Sequence, residues 1–289
     1  STLDRSSAAS DVYKRQGCQF MSGLRSVTIG TSDLSKTKEL FGNILGLQYS
    51  DKNENALRFG DANLSPGTRI HFVEISNKDY SNQHIDSIGL RTPSDLGLDE
   101  YQNILSNHNI NYSSFTELNG NKHFSFEDDN HQTYDIYSNE HNTGVGLGMP
   151  SFDSSVNPLH QIQGLGPVIL KVNELSITTS ILTRVFGLDL FAEYLPSEDA
   201  NENIQVFKIG EGGLGGELHL YQAHEEIQLS EYGPVEQVEF STHHRNEFVQ
   251  AKEQLDEIGI PYQTLEQEES ESLRITESSG ISFIFTLEK

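Results

Sequence analysis

The sequence predicts an α+β fold in which four similar modules follow one another along the chain. An internal repeat without gaps, at an offset of 141 residues, relates the two halves of the chain. It aligns Leu24–Val27 with Leu165–Val168, Asp33–Ser35 with Glu174–Ser176, and Ile44–Leu47 with Val185–Leu188. A second match, at an offset of 150 residues, places Asn109–Tyr112 on Gly259–Tyr262. Since self-similarity at a fixed offset indicates duplicated units, each half is predicted to carry two modules.

Each module is predicted to contain a strand, a helix and then further strands. The residues around Val27 alternate between apolar and polar or small, which is the period of a strand. Ser32 or Asp33 can cap a helix that continues through Asn43, and Gly46 ends it because glycine tolerates a left-handed backbone. The remaining strands are predicted at residues 57–59, 69–75, 87–91, 123–127, 133–137, 168–172, 205–209, 217–221, 235–241, 273–276 and 282–287, and the remaining helices at 98–107, 176–185 and 246–258.

Composition divides the chain into four regions. Residues 1–20 show no periodic pattern and are interpreted as a leader that is not native, with Met21 as the natural start. Residues 21–141 are predicted to form the first half and residues 164–289 the second, each with two modules. Residues 142–163 are rich in Gly, Pro, Ser and Asn and are therefore predicted to be the linker between them.

Charge and cysteine content narrow the classes of partner. The chain has 19 basic and 43 acidic residues and a formal net charge of −24, which repels nucleic-acid phosphates and anionic lipids. We therefore expect a small-molecule ligand, with a homodimer as a further option, and neither nucleic acid nor membrane as a partner. The only cysteine is Cys18, so there is no disulfide framework, and a cytoplasmic location is expected.

Three short motifs carry a resemblance to a known family. The Gly23-Leu24 strand opening, the Asp33-Leu34-Ser35 helix start and the Leu45-Gly46-Leu47 helix end resemble the first module of the glyoxalase / bleomycin-resistance / extradiol-dioxygenase (vicinal oxygen chelate) superfamily. The four-module arrangement is most similar to that of the two-domain, hydroquinone-type ring-cleaving dioxygenases. The resemblance implies four βαβββ modules in two paired glyoxalase/dioxygenase-like domains, with module one beside four and two beside three. It also implies a protein that acts on or binds a small aromatic or carbonyl compound, as an oxidoreductase of the dioxygenase kind or as a lyase.

The metal ligands of that family are replaced in this chain. The family holds iron or manganese with a histidine on the first strand of module one, a histidine on the first strand of module four and a glutamate on the last strand of module four. These positions fall on Arg25-Ser26, on Glu236-Gln237 and on Phe285, or on Ile284 or Thr286 if the register shifts. Two imidazoles and a carboxylate cannot be assembled from this set, so we expect no metal cofactor at the family position.

Two alternatives remain open for the site. Strand alternation places a set of candidate pocket residues on the concave face formed by modules one and four: Ser26, Thr28, Phe72, Glu74, Gln237, Glu239, Phe283 and Phe285. In one alternative, Glu74, Gln237 and Glu239 hold a divalent iron or manganese ion, and the chain is an enzyme whose catalytic residues are unknown. In the other, the three phenylalanines favour an uncharged guest, and the chain is a metal-free protein that binds or sequesters it. Modules two and three offer a smaller set of candidate residues, namely Ser87, Asp135, Pro167, His219 and Tyr221.

Overall fold

The computed structural model describes residues 22–289, so the interpretations of residues 1–20, of Cys18 and of Met21 lie outside the described residues. The strands are β1 (Leu24–Thr31), β2 (Gln48–Asn53), β3 (Ala56–Gly60), β4 (Arg69–Glu74), β5 (Ile85–Thr92), β6 (Thr116–Leu118), β7 (Asn121–Glu127), β8 (Thr133–Ser138), β9 (Leu165–Val172), β10 (Asp189–Tyr194), β11 (Ile204–Lys208), β12 (Glu217–Gln222), β13 (Gln237–Thr242), β14 (Gln263–Glu266), β15 (Ser270–Thr276) and β16 (Ser282–Glu288). The α-helices are α1 (Leu34–Lys38), α2 (Asp95–Asn107), α3 (Leu175–Arg184) and α4 (Arg245–Ile258).

The strands form two eight-stranded sheets. Sheet A has the order β14-β15-β16-β13-β1-β4-β3-β2, and sheet B has the order β10-β11-β12-β9-β5-β8-β7-β6. Sheet A therefore joins module one to module four through the antiparallel pair β1 and β13, and sheet B joins module two to module three through β5 and β9. This topology confirms the predicted fold of four βαβββ modules in two pairs. Because each sheet draws on both halves of the chain, the domain boundaries around residues 142–163 stay a prediction.

The first strand after each helix was not predicted from the sequence. These strands, β2, β6, β10 and β14, lie at the outer edges of the two sheets, and all four residues of β14 are exposed. An edge strand with little buried surface has no need of an apolar stripe, so it lacks the alternation by which a strand is predicted.

The first helix shows how local signals set the boundaries. The side chain of Asp33 accepts a hydrogen bond from the backbone N–H of Lys36, at 3.1 Å, which caps α1. A π-helical turn, Glu39–Ile44, continues from α1, and Gly46 follows with a φ of +79°. No helix among residues 22–289 is long and apolar enough to cross a membrane.

Aromatic residues pack between the sheets and the helices. The Phe72 ring lies 5.0 Å from that of Phe41 in the π-helical turn, and the Phe285 ring lies 5.9 Å from that of Phe248 on α4. Phe283, which is 1% exposed, sits beside core residue Val238 in the register of β13 and β16. Burying each such ring contributes about 1.5–3 kcal/mol.

The expectation that Phe72, Phe283 and Phe285 line the concave face is therefore wrong. These residues face the helices on the opposite side of sheet A. Alternation separates the two faces of a strand without saying which one meets a helix, and in β16 all seven residues are buried, so neither face is marked by polarity.

Candidate functional site

The concave face of sheet A carries a closed hydrogen-bond network around Glu239. Ser26 on β1 lies opposite Glu239 on β13, and the Ser26 hydroxyl donates to the Glu239 carboxylate at 2.7 Å. The hydroxyl of Thr286 on β16 donates to the other carboxylate oxygen, also at 2.7 Å. The guanidinium of Arg25 lies 3.2 Å from Glu239 and also donates to the carboxylate of Glu288. Both oxygens of Glu239 are therefore engaged within the protein.

An irregularity in β1 lets Arg25 take part. The pairing of β1 with β13 shifts register between Leu24 and Ser26, as a β-bulge does, so the adjacent residues Arg25 and Ser26 both reach Glu239. Burial lowers the pKa of the Arg25 guanidinium, but the charges of Glu239 and Glu288 outweigh burial and raise that pKa overall. The network thus consists of a permanent cation and its carboxylate partners.

The neighbouring part of the same face is basic. His71 on β4 lies beside Thr28 of β1 and Arg58 of β3, and Arg69 lies beside Ser26. Residues paired directly across strands point to the same face, so His71, Arg58 and Arg69 share the concave side with Ser26. These three residues were not predicted from the sequence, although Arg69 and His71 alternate with Ile70 and Phe72, a pattern that could have indicated their common face.

Two hydrogen-bond donors of this basic region have no partner in the protein. His71 is 8% exposed, its Nε2 is buried without a partner, and its Nδ1 lies 3.5 Å from the ammonium of Lys52. The Nε of Arg58 is likewise buried and unpartnered. Burial, together with the charges of Lys52, Arg58, Arg69 and Arg25, lowers the pKa of His71 to about 3. His71 is therefore neutral, and with Lys52 next to Nδ1 its proton belongs on the unpartnered Nε2.

The concave face of sheet B has a different chemistry. His219 is fully buried, with the Tyr194 hydroxyl 2.8 Å from its Nδ1 and the Glu217 carboxylate 3.0 Å from its Nε2. His123 stacks on Tyr137 and lies 3.8 Å from Asp135. Two of the residues predicted for modules two and three, Asp135 and His219, thus lie beside acidic and aromatic side chains. Glu217 was missed, although it alternates with His219 and Tyr221 on β12 and so shares their face.

Known proteins support this architecture. No family model matches the sequence. The chain is 27% identical over 212 residues to MhqA of Bacillus subtilis strain 168, whose name provisionally assigns it as a ring-cleaving dioxygenase; the match covers 70% of this chain and 66% of MhqA. A crystal structure from Bacillus subtilis with a provisional dioxygenase name superimposes with a TM-score of 0.68 at 15% identity, over 93% of this chain and 86% of that one. Glyoxalase I from Zea mays gives a TM-score of 0.57 at 11% identity, with 92% of each chain covered.

By its fold, this chain is similar to the dioxygenase and glyoxalase structures of the vicinal oxygen chelate type. It is homologous to MhqA, and the match covers less than two thirds of the length of MhqA. The homology and the structural likeness show a shared fold but no substrate.

The superfamily's metal position does not fit a metal in this chain. Its three places hold Ser26, Gln237 and, on the concave side of β16, Ile284, because Phe285 faces the core. A hydroxyl, a neutral amide and a hydrocarbon do not supply the imidazoles and carboxylate that iron requires. Glu239 is nearby, but its oxygens are already held by Ser26, Thr286 and Arg25.

The oxygen-ligand alternative also fails to assemble. Glu74 is exposed, and its carboxylate lies 3.3 Å from the backbone N–H of Leu34, at the start of α1. It therefore lies on the helix side of sheet A and cannot join Gln237 and Glu239 in one ligand set.

Among residues 22–289, one surface group brings three metal-binding side chains together. Potential ligand atoms of Asp95, Glu140 and His141 lie within 4.8 Å of one another, where α2 begins. Asp95 is half-buried and the other two are exposed. This group is not on the concave face of either sheet, so it does not replace the superfamily's metal site.

Proposed function

We propose that this chain is a metal-independent member of the superfamily that binds a small organic anion, a carboxylate or a phosphate ester, on the concave face of sheet A. The unpartnered donors His71 and Arg58 in a cationic surrounding carry this proposal. A buried donor without a hydrogen-bond partner costs about 1–3 kcal/mol of folding stability. Two such donors therefore destabilise the chain unless a ligand accepts hydrogen bonds from them.

The local charge balance favours an anion. Arg25, Lys52, Arg58 and Arg69 contribute four positive charges, while the carboxylates of the region, Glu239 and Glu288, contribute two negative ones. Burial, and then repulsion from the charges of Arg25 and Arg58, lowers the pKa of Arg69 to about 10. A basic region is unexpected in a chain with a net charge of −24, which indicates a specific role for it.

An oxyanion matches the free groups on this face. It can accept hydrogen bonds from His71 Nε2 and Arg58 Nε while offsetting the excess positive charge. The uncharged guest expected from the sequence loses its basis, because the three phenylalanines that favoured it lie on the helix side.

Ring cleavage is the second candidate, favoured by the homology to MhqA. It requires a bound metal, so elemental analysis of the purified chain separates the two candidates. We expect no stoichiometric iron or manganese, because the donors at Ser26, Gln237 and Ile284 do not form a facial triad. One metal per chain, together with ring-cleaving activity on hydroquinone, would refute metal independence.

Binding of the anion can be tested by calorimetry with benzoate, phenyl phosphate and the neutral benzyl alcohol. We expect one or both anions to bind and benzyl alcohol not to bind. Arg58→Gln should weaken binding of the anion about ten- to hundredfold, since a charged hydrogen bond is lost. Arg184→Gln on the exposed side of α3 is the matched control and should leave the affinity unchanged.

Each result of the calorimetry discriminates. Binding of benzoate alone identifies a carboxylate ligand, and binding of phenyl phosphate alone identifies a phosphate ester. Equal affinity for benzyl alcohol, or an Arg58→Gln affinity equal to that of the native chain, would contradict anion recognition. The expected homodimer and cytoplasmic location stay predictions.

A further inference from the structure

A second site lies away from the concave faces, in a cavity of about 310 Å³. Its walls come from the segment between β4 and β5, the segment before β13 and the turn between β15 and β16. Side chains of Lys78, His84, Glu236 and Ser279 line it. None of these residues takes part in the anion site proposed above, so the two sites can be tested independently.

Ser279, His84 and Glu236 form a continuous hydrogen-bonded chain in this cavity. The Ser279 hydroxyl oxygen lies 2.8 Å from His84 Nε2, and His84 Nδ1 lies 2.7 Å from the Glu236 carboxylate. Glu236 also accepts the backbone N–H groups of His84 and Ile85, at 2.9 Å each. His84 is 1% exposed, so its ring is held in a fixed position between the hydroxyl and the carboxylate.

The electrostatics set the direction of each hydrogen bond. Burial alone would raise the pKa of Glu236, but the hydrogen bonds from His84 and from the backbone outweigh burial and lower that pKa. An ionised Glu236 accepts a hydrogen bond from Nδ1, so in the tautomer with its proton on Nδ1 the ring offers Nε2 as the acceptor for the Ser279 hydroxyl. This is the arrangement by which a histidine activates a serine, with a carboxylate orienting the histidine.

We propose that Ser279, His84 and Glu236 act as nucleophile, general base and orienting carboxylate in the hydrolysis of a small ester. The Ser279 oxygen attacks the acyl carbon while His84 Nε2 takes the hydroxyl proton. The bond from that carbon to the leaving oxygen then breaks, and the alcohol departs with the proton from His84. Water, deprotonated by His84, releases the acid from Ser279, so the cycle needs no other reactant.

Lys78 provides positive charge in the same cavity. Its ammonium donates to the carbonyl of Gly30 at 2.9 Å, which leaves two further donors. Burial, opposed by the charge of Glu236, lowers the pKa of Lys78 to about 8, so it is mostly charged at pH 7. That charge favours the negative carbonyl oxygen formed on attack. The cavity volume, at the lower end of the usual range of about 300–1,000 Å³, suits a short acyl group such as acetyl.

Labelling with a fluorophosphonate, followed by peptide mass spectrometry, tests the nucleophile in the full chain. We expect the probe on Ser279. Hydrolysis of 4-nitrophenyl acetate should fall about hundredfold or more in Ser279→Ala. Ser278→Ala, on the exposed neighbour in the same turn, is the matched control and should keep both the label and the rate.

A folding control accompanies the variants. Ser279→Ala should still unfold cooperatively on heating, at a somewhat lower Tm than the native chain, because His84 Nε2 loses its partner while the half-buried turn is otherwise unchanged. Ser279→Cys retains a nucleophile, and iodoacetamide should modify position 279 faster than Cys18 of the same chain, as read by peptide mass spectrometry. An unlabelled native chain, a label on another serine, or equal hydrolysis by Ser279→Ala would each overturn the proposal.

Discussion

At the scale of the residue, His71 shows how neighbours set the chemistry of a side chain. It is one of 11 histidines, and its alternation with Ile70 and Phe72 indicates its face of the strand but not its charged neighbours. Burial and four surrounding cations lower its pKa to about 3, so the folded chain holds it neutral throughout the physiological range. In the unfolded chain it titrates near its ordinary value of 6.5.

This difference predicts a specific pH dependence of stability. Between about pH 6.5 and pH 3 the unfolded state binds a proton at His71 that the folded state does not bind, so the free energy of unfolding falls as the pH falls. His71→Gln should lower by about one the number of protons that are taken up on unfolding in this pH range, so its unfolding free energy should depend less on pH. Urea unfolding at pH 7 and pH 5 measures it, with the exposed His108→Gln as control. Equal pH dependence in native and His71→Gln chains would be inconsistent with the assigned environment.

At the scale of the element, β16 explains why the concave face was assigned incorrectly from the sequence. All seven of its residues are buried, with Thr286 directed to Glu239 and Phe285 directed to α4. A strand buried on both faces presents no polar stripe, so its orientation depends on what packs against each side.

The face of Phe285 has a measurable consequence. Phe285→Ala should destabilise the chain by about 3–5 kcal/mol, because it leaves a cavity between sheet A and α4. Phe152, which is 86% exposed, provides the matched control, and Phe152→Ala should cost less than about 0.5 kcal/mol. Guanidinium unfolding measures both. A small effect of Phe285→Ala on stability would contradict the packing of Phe285 against α4 and would favour a position on the concave face.

At the scale of the whole molecule, duplication has produced two concave faces with opposite chemistry. Sheet A presents cations and unpartnered donors, whereas sheet B presents Asp135 and Glu217 with histidine and tyrosine. The net charge of the complete chain is set by its 43 acidic residues and not by the charge of either concave face.

That total charge predicts how the solubility depends on pH. Protonation of carboxylates as the pH falls to about 5 reduces the net negative charge and hence the repulsion between molecules. Solubility should therefore fall between pH 8 and about pH 5, measured as protein left in solution after centrifugation. Added salt at pH 8 is the control, since it screens the same repulsion. Constant solubility across this range would contradict the argument.

The internal repeat and the strand alternation were enough to predict the four modules, and the local sequence limited the helix cap to Ser32 or Asp33. The replacement of the superfamily's metal ligands followed from the resemblance to that superfamily. These features are local or periodic, so they are visible along one chain. The direction of Phe72, Phe283 and Phe285 and the meeting of Arg58 with His71 depended on tertiary packing. So did the contact of His84 with Glu236 and Ser279, which are separated by 152 and 195 residues. Such groups are brought together by strand pairing and helix placement between distant segments, which no local pattern records.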